Sequence, residues 1–341
     1  MAEYERKLQD YKNGHGISGQ VVTSGDVVQR LEIDNDPGIQ LSVSNLNNIR
    51  AEYFADKKFN GVDSVGSGRH LELLDNSKQG SATLTFTNTS RLSYMGRKIS
   101  KVVEQITLIP NNPDKSKGNA RVNVAANLYW GYDLAEGIEK VTWSFYDENG
   151  RIINFTPNTA YLSVASLNNY TNNLGAYSIE TTTVDSGGKA LSLYGSSVTS
   201  HGNSLYSNKA NSYNDSGIQI CGVKPGETGS IDTGFRLNPS AVTNTNIPQG
   251  WDRTGSPLRY YGSGLISLEG PALTMTIEAK NTGLPNNAKW RDVMWWNAAT
   301  LIPQTPGPQK PKPKSSSIHY HYDTPSTFSL LYFRLLVNNN L

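Results

Sequence analysis

The chain has 341 residues, of which 36% are hydrophobic and 18% charged, and carries a formal net charge of +2. That length supports one large domain or two ordinary ones with a full-sized core, and the near balance of charge gives no global signature of nucleic-acid or anionic-membrane binding. The one cysteine, Cys221, excludes an internal disulfide.

Residues 2–12 are helix formers with Tyr4, Leu8 and Tyr11 on one stripe of an otherwise charged surface, and Asn13-Gly14-His15-Gly16 ends the run. So short a helix is marginal alone, so the stripe needs a partner. From 17 to 110 the pattern turns to β. Short strands are expected at 20–22, 29–33 and 39–43, and the run SATLTFT at 81–87 alternates cleanly. A turn at 94–98 leads into a long strand over 99–109, and 111–119 reads as an exposed loop. Residues 121–130 read as a strand, 131–137 as a turn, and 140–146 as a strand with Val141, Trp143 and Phe145 on one face. Asp147-Glu148-Asn149-Gly150 is a strong hairpin signal, which puts a return strand at 151–155. A strand over 160–167 precedes a span rich in Asn, Ser, Gly and Tyr to about 216, which reads as loop. Cys221 lies in an alternating run with no nearby His and reads as a small buried residue, not a nucleophile.

The stretch 251–296 holds four of the six tryptophans. Its middle alternates, with Leu273, Met275 and Ile277 opposite Thr274, Thr276 and Glu278, while Tyr260-Tyr261-Gly262 reads as an aromatic strand end and 282–287 as a turn. Residues 303–313 have the composition of a polyproline II segment. The apolar stretch 326–341 reads as a terminal strand or as vector-encoded sequence and carries no weight in the fold assignment. The chain opens directly into a charged helix without a signal peptide or transmembrane stretch, so it reads as a segment of a longer protein.

Catalytic and metal signatures are sparse. Glu32-Ile33-Asp34-Asn35-Asp36 carries alternating carboxylates of the kind that β-sandwich glucanases use as nucleophile and general acid, but Pro37 ends the strand at once. His15, His70 and His201 are isolated and His319 and His321 lie in the tail, so no zinc spacing appears. Arg97, Lys98 and Lys101 form a small basic cluster, as do Lys310, Lys312 and Lys314, and the plain reading of both is solvated charge.

The order of several stretches resembles the variable (V) domain of streptococcal antigen I/II adhesins, a superfamily shared with glucan-binding protein C and the adhesin domain of enterococcal aggregation substance. The matching pieces are Ser93-Tyr94-Met95-Gly96-Arg97-Lys98-Ile99-Ser100-Lys101, Phe145-Tyr146-Asp147-Glu148-Asn149-Gly150, the run AYLSVASLN at 160–168, Trp251-Asp252, residues 260–264 and Ala288-Lys289-Trp290. The resemblance implies an all-β, lectin-like β-supersandwich of mostly antiparallel strands over 17–302. It implies a stalk helix ending at residue 16 and a proline-rich stalk start at 303–325. It also implies a wall-anchored bacterial surface adhesin, not an enzyme, that binds host glycoprotein or polysaccharide such as glucan in a cleft. A structural calcium is compatible with it, although no calcium loop is visible. Two other functions remain open: a polyanion-binding adhesin for extracellular DNA or teichoic acid, and a glycoside hydrolase using Glu32 and Asp34.

The expected cleft is lined by Trp251, Asp252, Tyr260, Tyr261, Trp295 and Trp296, with Asp292 and Asn297 as polar contacts. Adjacent strand residues face opposite sides, so Trp295 and Trp296 cannot both enter one core, and an exposed tryptophan suits a binding surface.

Overall fold

In a computed structural model of the chain, the alternating runs form strands that bury one face each. The structure describes residues 1–59, 63–111, 118–169, 177–209, 211, 248, 251, 256–282 and 293–311. The chain divides into a unit Met1–Lys310 and a second unit Pro311–Leu341, of which residue 311 alone is described.

A ten-stranded sheet runs in the order Val198–His201, Ser204–Ser207, Tyr177–Ser186, Ala272–Thr282, Gly137–Asp147, Arg97–Pro110, Gly80–Thr87, Gln40–Asn47, with Leu92–Tyr94 and Leu31–Ile33 attached beside Arg97–Pro110. Two five-stranded sheets oppose it. One, here the outer sheet, orders Val293–Trp296, Tyr132–Ala135, Arg121–Ala125, Asp63–Leu73, Ile49–Phe59; the other orders Val21–Val22, Gly188–Leu193, Gly264–Leu268, Tyr161–Val164, Ala298–Ala299. Among the described pairings only Val21–Val22 with Ser192 and Leu193 is parallel. The expected all-β sandwich is therefore present, with its second layer split in two. Twist accumulates across neighbouring strands, so a layer facing ten strands is more easily covered by two short sheets than by one.

All three sheets feed one core. Val102, Ile106, Leu108, Val141, Phe145, Leu273, Met275 and Ile277 from the large sheet meet Leu71, Val122, Val124, Leu134 and Met294 from one small sheet and Leu162, Val164 and Ile266 from the other. The expected strands at 81–87 and 99–109 appear as Gly80–Thr87 and Arg97–Pro110. Three expectations are corrected. Residues 131–137 are not a turn but hold the strand Tyr132–Ala135, and the return strand at 151–155 is reduced to isolated bridges from Ile152 and Phe155. Within the supposed loop 168–216 lie four strands, Tyr177–Ser186, Gly188–Leu193, Val198–His201 and Ser204–Ser207. Cys221 lies outside the described residues.

Two glutamates occupy core-facing positions. Glu104 pairs across from Trp143 and Glu139 from Leu108; both are fully buried, and among the described residues their four carboxyl oxygens find no partner in good hydrogen-bond geometry. Burial holds the Glu104 carboxyl up at about 8, beside the Tyr132 hydroxyl, and pushes Glu139 well above the carboxylate range, with the Glu104 charge adding to the effect.

Both ends of the first unit dock at one corner. The helix Ala2–Gly14 buries Tyr4, whose hydroxyl bonds to Thr23 Oγ1 at 2.9 Å and donates to Asp26 Oδ2 at 2.5 Å. Burial, with the Asp26 carboxylate beside it, pushes the Tyr4 phenol up to about 12. Tyr11 packs on Tyr194 with the rings tilted and their centroids 4.2 Å apart, and its hydroxyl accepts from the Gly195 N–H. From the other end, Ser24 N–H donates to Thr305 Oγ1 at 3.0 Å and Lys310 reaches Asp26 at 3.4 Å. The helical stripe thus meets the chain's return through Asp26 and Tyr194. Tyr4→Phe is expected to lower stability by about 1–2 kcal/mol, because it strips the half-buried Asp26 carboxylate of a donor; a melt unchanged within error would refute that role. No described helix is long and apolar enough to cross a membrane.

Candidate ligand cleft

At one end of the outer sheet a cavity of about 300 Å³ opens between three separated stretches: Asn35–Ile39, Ser64–Ser67, and Ala126, Asn127 and Trp130. That volume is at the lower end of the range in which small ligands are held. Its first wall is rigid because Asp36 is anchored. Its Oδ2 accepts from Ser90 N–H at 2.6 Å, Ser90 Oγ at 3.0 Å and Arg91 N–H at 2.9 Å, and its Oδ1 from Gly38 N–H at 3.2 Å. Burial alone would raise this carboxyl, but the donors outweigh it and hold it below its ordinary value.

The opposite wall follows from Asn127. Its Oδ1 accepts from Tyr129 N–H at 3.1 Å and caps the 3-10 turn Leu128–Trp130. Gly131 then reverses the chain at φ +63, where an added Cβ would lie 2.2 Å from the Trp296 carbonyl oxygen, so only glycine fits. The turn brings Trp130 half-exposed to the cleft, with Tyr129 edge-on at 5.2 Å. The walls are tied by Asn127 Nδ2 donating to Asn35 Oδ1 at 2.6 Å. Asn35 is exposed and its own amide nitrogen has no partner among the described residues. An aromatic face, an amide donor and the hydroxyls of Ser64 and Ser67 therefore surround one space.

Two of the tryptophans expected to line a cleft are buried. Trp296 is fully buried, stacked on Tyr132 at 5.3 Å, edge-on to Trp143 at 6.0 Å and donating from Nε1 to Thr182 Oγ1 at 2.9 Å. Trp251 is 2% exposed, donates to the Asn211 carbonyl at 2.9 Å and lies against Gly262. Neither tryptophan offers a face to a ligand; each spends its ring on packing and its N–H on a buried acceptor. Tyr260 and Tyr261 are half-buried in the 3-10 turn Arg259–Gly262, where the Tyr261 carbonyl accepts from Ser196 and Ser197. Asn297 is half-buried after its strand; Trp295 pairs through its backbone with Asp133. Asp252, Asp292 and the Trp295 side chain lie outside the described residues.

The carboxylates considered for hydrolysis do not line the cleft. Glu32 is exposed and accepts from Ser93 Oγ at 2.7 Å, and Asp34 is exposed at the strand end. Among the described residues no group of three or more His, Cys, Asp or Glu side chains is placed to hold a metal. Trp130 and Asn127 were missed by sequence reasoning, which ran a strand through them. The usable signal was Asn127 followed three residues later by Trp130-Gly131, a capped turn ending on glycine.

The chain is thus a split β-sandwich with an aromatic-lipped cleft at one end. The chain belongs to the glucan-binding protein C family, whose sequence profile matches residues 17–298. Solved structures of other proteins share the fold. Glucan-binding protein C of Streptococcus mutans aligns over 93% of this chain and 88% of its own at 22% identity, with a TM-score of 0.57. The adhesin domain of PrgB from Enterococcus faecalis aligns over 87% of this chain and 97% of its own at 17% identity, with the same TM-score of 0.57. That PrgB domain has also been solved bound to DNA, and this form aligns at 16% identity with a TM-score of 0.55, over 82% of this chain and 97% of its own.

Proposed function

We propose that this chain is a non-enzymatic adhesin domain of a bacterial surface protein that holds a polysaccharide, or the glycan of a host glycoprotein, in the Asn35–Trp130 cleft. The observation that carries this reading is the half-exposed Trp130 ring beside the Asn35–Asn127 amide pair. A sugar presents an apolar C–H face to an aromatic ring and hydroxyls to amides at its edge. Family membership supports the same class, since the S. mutans relative is described as mediating both sucrose-independent and sucrose-dependent adherence. The helix and the proline-rich segment would then be the two halves of a stalk that presents the domain above a wall anchor.

Trp130→Ala tests the cleft. A stacked aromatic contributes roughly 1–3 kcal/mol, by analogy with stacking platforms for bases, so dextran or an arrayed glycan bound by the parent should bind at least roughly tenfold more weakly. Trp130 is half-exposed, so melting should change little. Undiminished binding would remove the cleft from the reading.

The DNA-bound PrgB domain favours a second reading, a polyanion-binding adhesin. The Arg97 cluster supports it weakly, because Lys98 is 3.8 Å from Glu148 and Lys101 lies over the Tyr146 ring at 4.1 Å. DNA binding through that cluster should weaken steeply with salt, whereas glycan binding in the cleft should not.

A further inference from the structure

The edge strand of the outer sheet aims a lysine at an amide. Ile49–Phe59 loses register with Asp63–Leu73 on both sides of Lys57, and Asp56 before it takes φ 51. Irregularities of this kind re-aim a side chain. Lys57 crosses the intervening strand and donates to Asn123 Oδ1, on Arg121–Ala125, at 2.6 Å, with its Nζ 5.1 Å from the centre of the Phe54 ring. Phe54 can lie there because it pairs with Gly68, where an added Cβ would sit 2.4 Å from the ring.

Asn123 is 6% exposed and is held from three sides. His70 Nδ1 approaches its Oδ1 at 2.8 Å, and its Nδ2 donates to Asp133 Oδ2 at 3.0 Å. A lysine ammonium only donates and a carboxylate only accepts, so Oδ1 faces Lys57, Nδ2 faces Asp133, and His70 carries its proton on Nδ1. Burial, the leading cause, lowers the half-buried Lys57 ammonium, with Arg121 adding to it and Asp133 opposing. Burial also raises the Asp133 carboxyl, against the pull of Asn123, Lys57, Arg121 and His70. Both shifts favour a free amine beside a protonated acid.

We propose that Lys57 and Asn123 join in an intramolecular isopeptide bond, formed by the folded protein itself with Asp133 and His70 as catalytic residues. The Lys57 amine attacks Asn123 Cγ, one bond from the oxygen it already touches. A new C–N bond forms to Nζ and the bond from Cγ to Nδ2 breaks. Nδ2 leaves as ammonia, taking the hydrogen that Nζ gives up, relayed through the Asp133 carboxyl that already holds Nδ2. His70 Nδ1–H donates to Oδ1 as charge builds there. The fold holds amine and amide together, and a lysine freed of its proton by desolvation is a competent nucleophile. The bond ties the edge of the outer sheet to its middle strand, in a chain whose single cysteine permits no internal disulfide.

Intact-mass spectrometry of the folded chain, followed by proteolysis, tests this. The parent should weigh less than its sequence by one ammonia, and digestion should release a branched peptide joining the segments around Lys57 and Asn123. Lys57→Arg, which keeps the charge, and Asn123→Ala should both have the full sequence mass. Asp133→Asn keeps the size but cannot relay a proton, so only a minor fraction of its molecules should carry the link, in line with a roughly hundredfold loss of rate. The proposal is overturned if the parent keeps its full mass after prolonged incubation at neutral and mildly alkaline pH. It is equally overturned if the mass loss persists in Lys57→Arg, which would mark a cyclised asparagine, or if Asp133→Asn links as completely and as fast as the parent. The parent's mass and branched peptide decide the matter even where a variant fails to fold.

Discussion

Raising the pH from 5 to 8 is expected to destabilise this protein strongly, and Glu104→Gln is expected to remove much of that loss. Both core glutamates have folded pKa values raised by burial, to about 8 for Glu104 and well above 4.5 for Glu139. A carboxyl raised in the folded state keeps its proton there after the unfolded chain has lost it. Its stability is therefore whole below about pH 4.5 and lost progressively as pH rises through the folded value, at about 1.4 kcal/mol per pH unit. For Glu104 that accumulates to roughly 5 kcal/mol by pH 8, the size of a domain's net stability. Tyr132 relieves it only in part: its hydroxyl, which accepts from Trp143 Nε1 at 2.7 Å, keeps its proton and lowers the Glu104 carboxyl, but burial outweighs it. Melting curves of the parent, Glu104→Gln and Glu139→Gln at pH 5, 6.5 and 8 provide the check. A parent whose melting temperature is flat or rises over that range would show the two carboxyls to be ionised and solvated.

Trp296→Ala should cost about 3–5 kcal/mol, the range for removing a buried aromatic. Trp296 joins the two layers: it stands on the outer sheet, stacks on Tyr132 and crosses to Thr182 and Trp143 of the large sheet. Its loss opens a cavity between layers and leaves the Thr182 hydroxyl without its donor. Trp296→Phe, which keeps the ring but not the N–H, should fall between. If Trp296→Ala melts like the parent yet loses ligand, Trp296 would belong to a binding surface after all.

Legibility followed chemistry along the chain. Gly80–Thr87 and Gly137–Asp147 were visible because most of their inward residues, among them Leu84, Phe86, Val141, Trp143 and Phe145, are apolar at every second place, Glu139 being the exception. The strands within 168–216 were not, because their buried positions include Thr182, Ser192, Ser200 and Ser207, which satisfy hydroxyls in the interior instead of excluding them. Ile49–Phe59 also escaped, since an edge strand with charged residues and two irregularities in register shows no period. The cleft was the least legible part. Residues 35–39, 64–67 and 126–130 meet only once the sheets have formed, and no local pattern distinguishes Trp130 as half-exposed from Trp296 as buried. The resemblance to the adhesin V domains supplied the architecture, while the partner of each aromatic had to come from coordinates.

The shared corner of helix and proline-rich segment sets how the protein carries tension. A pull on the two chain ends enters through Tyr4 and Tyr11 and leaves through Thr305 and Lys310, so the load path closes across Asp26, Ser24 and Tyr194. The sheets hang outside that path. Force must first shear this small set of contacts before any strand is peeled, which makes the corner a mechanical fuse and leaves the Asn35–Trp130 cleft unstrained while it holds.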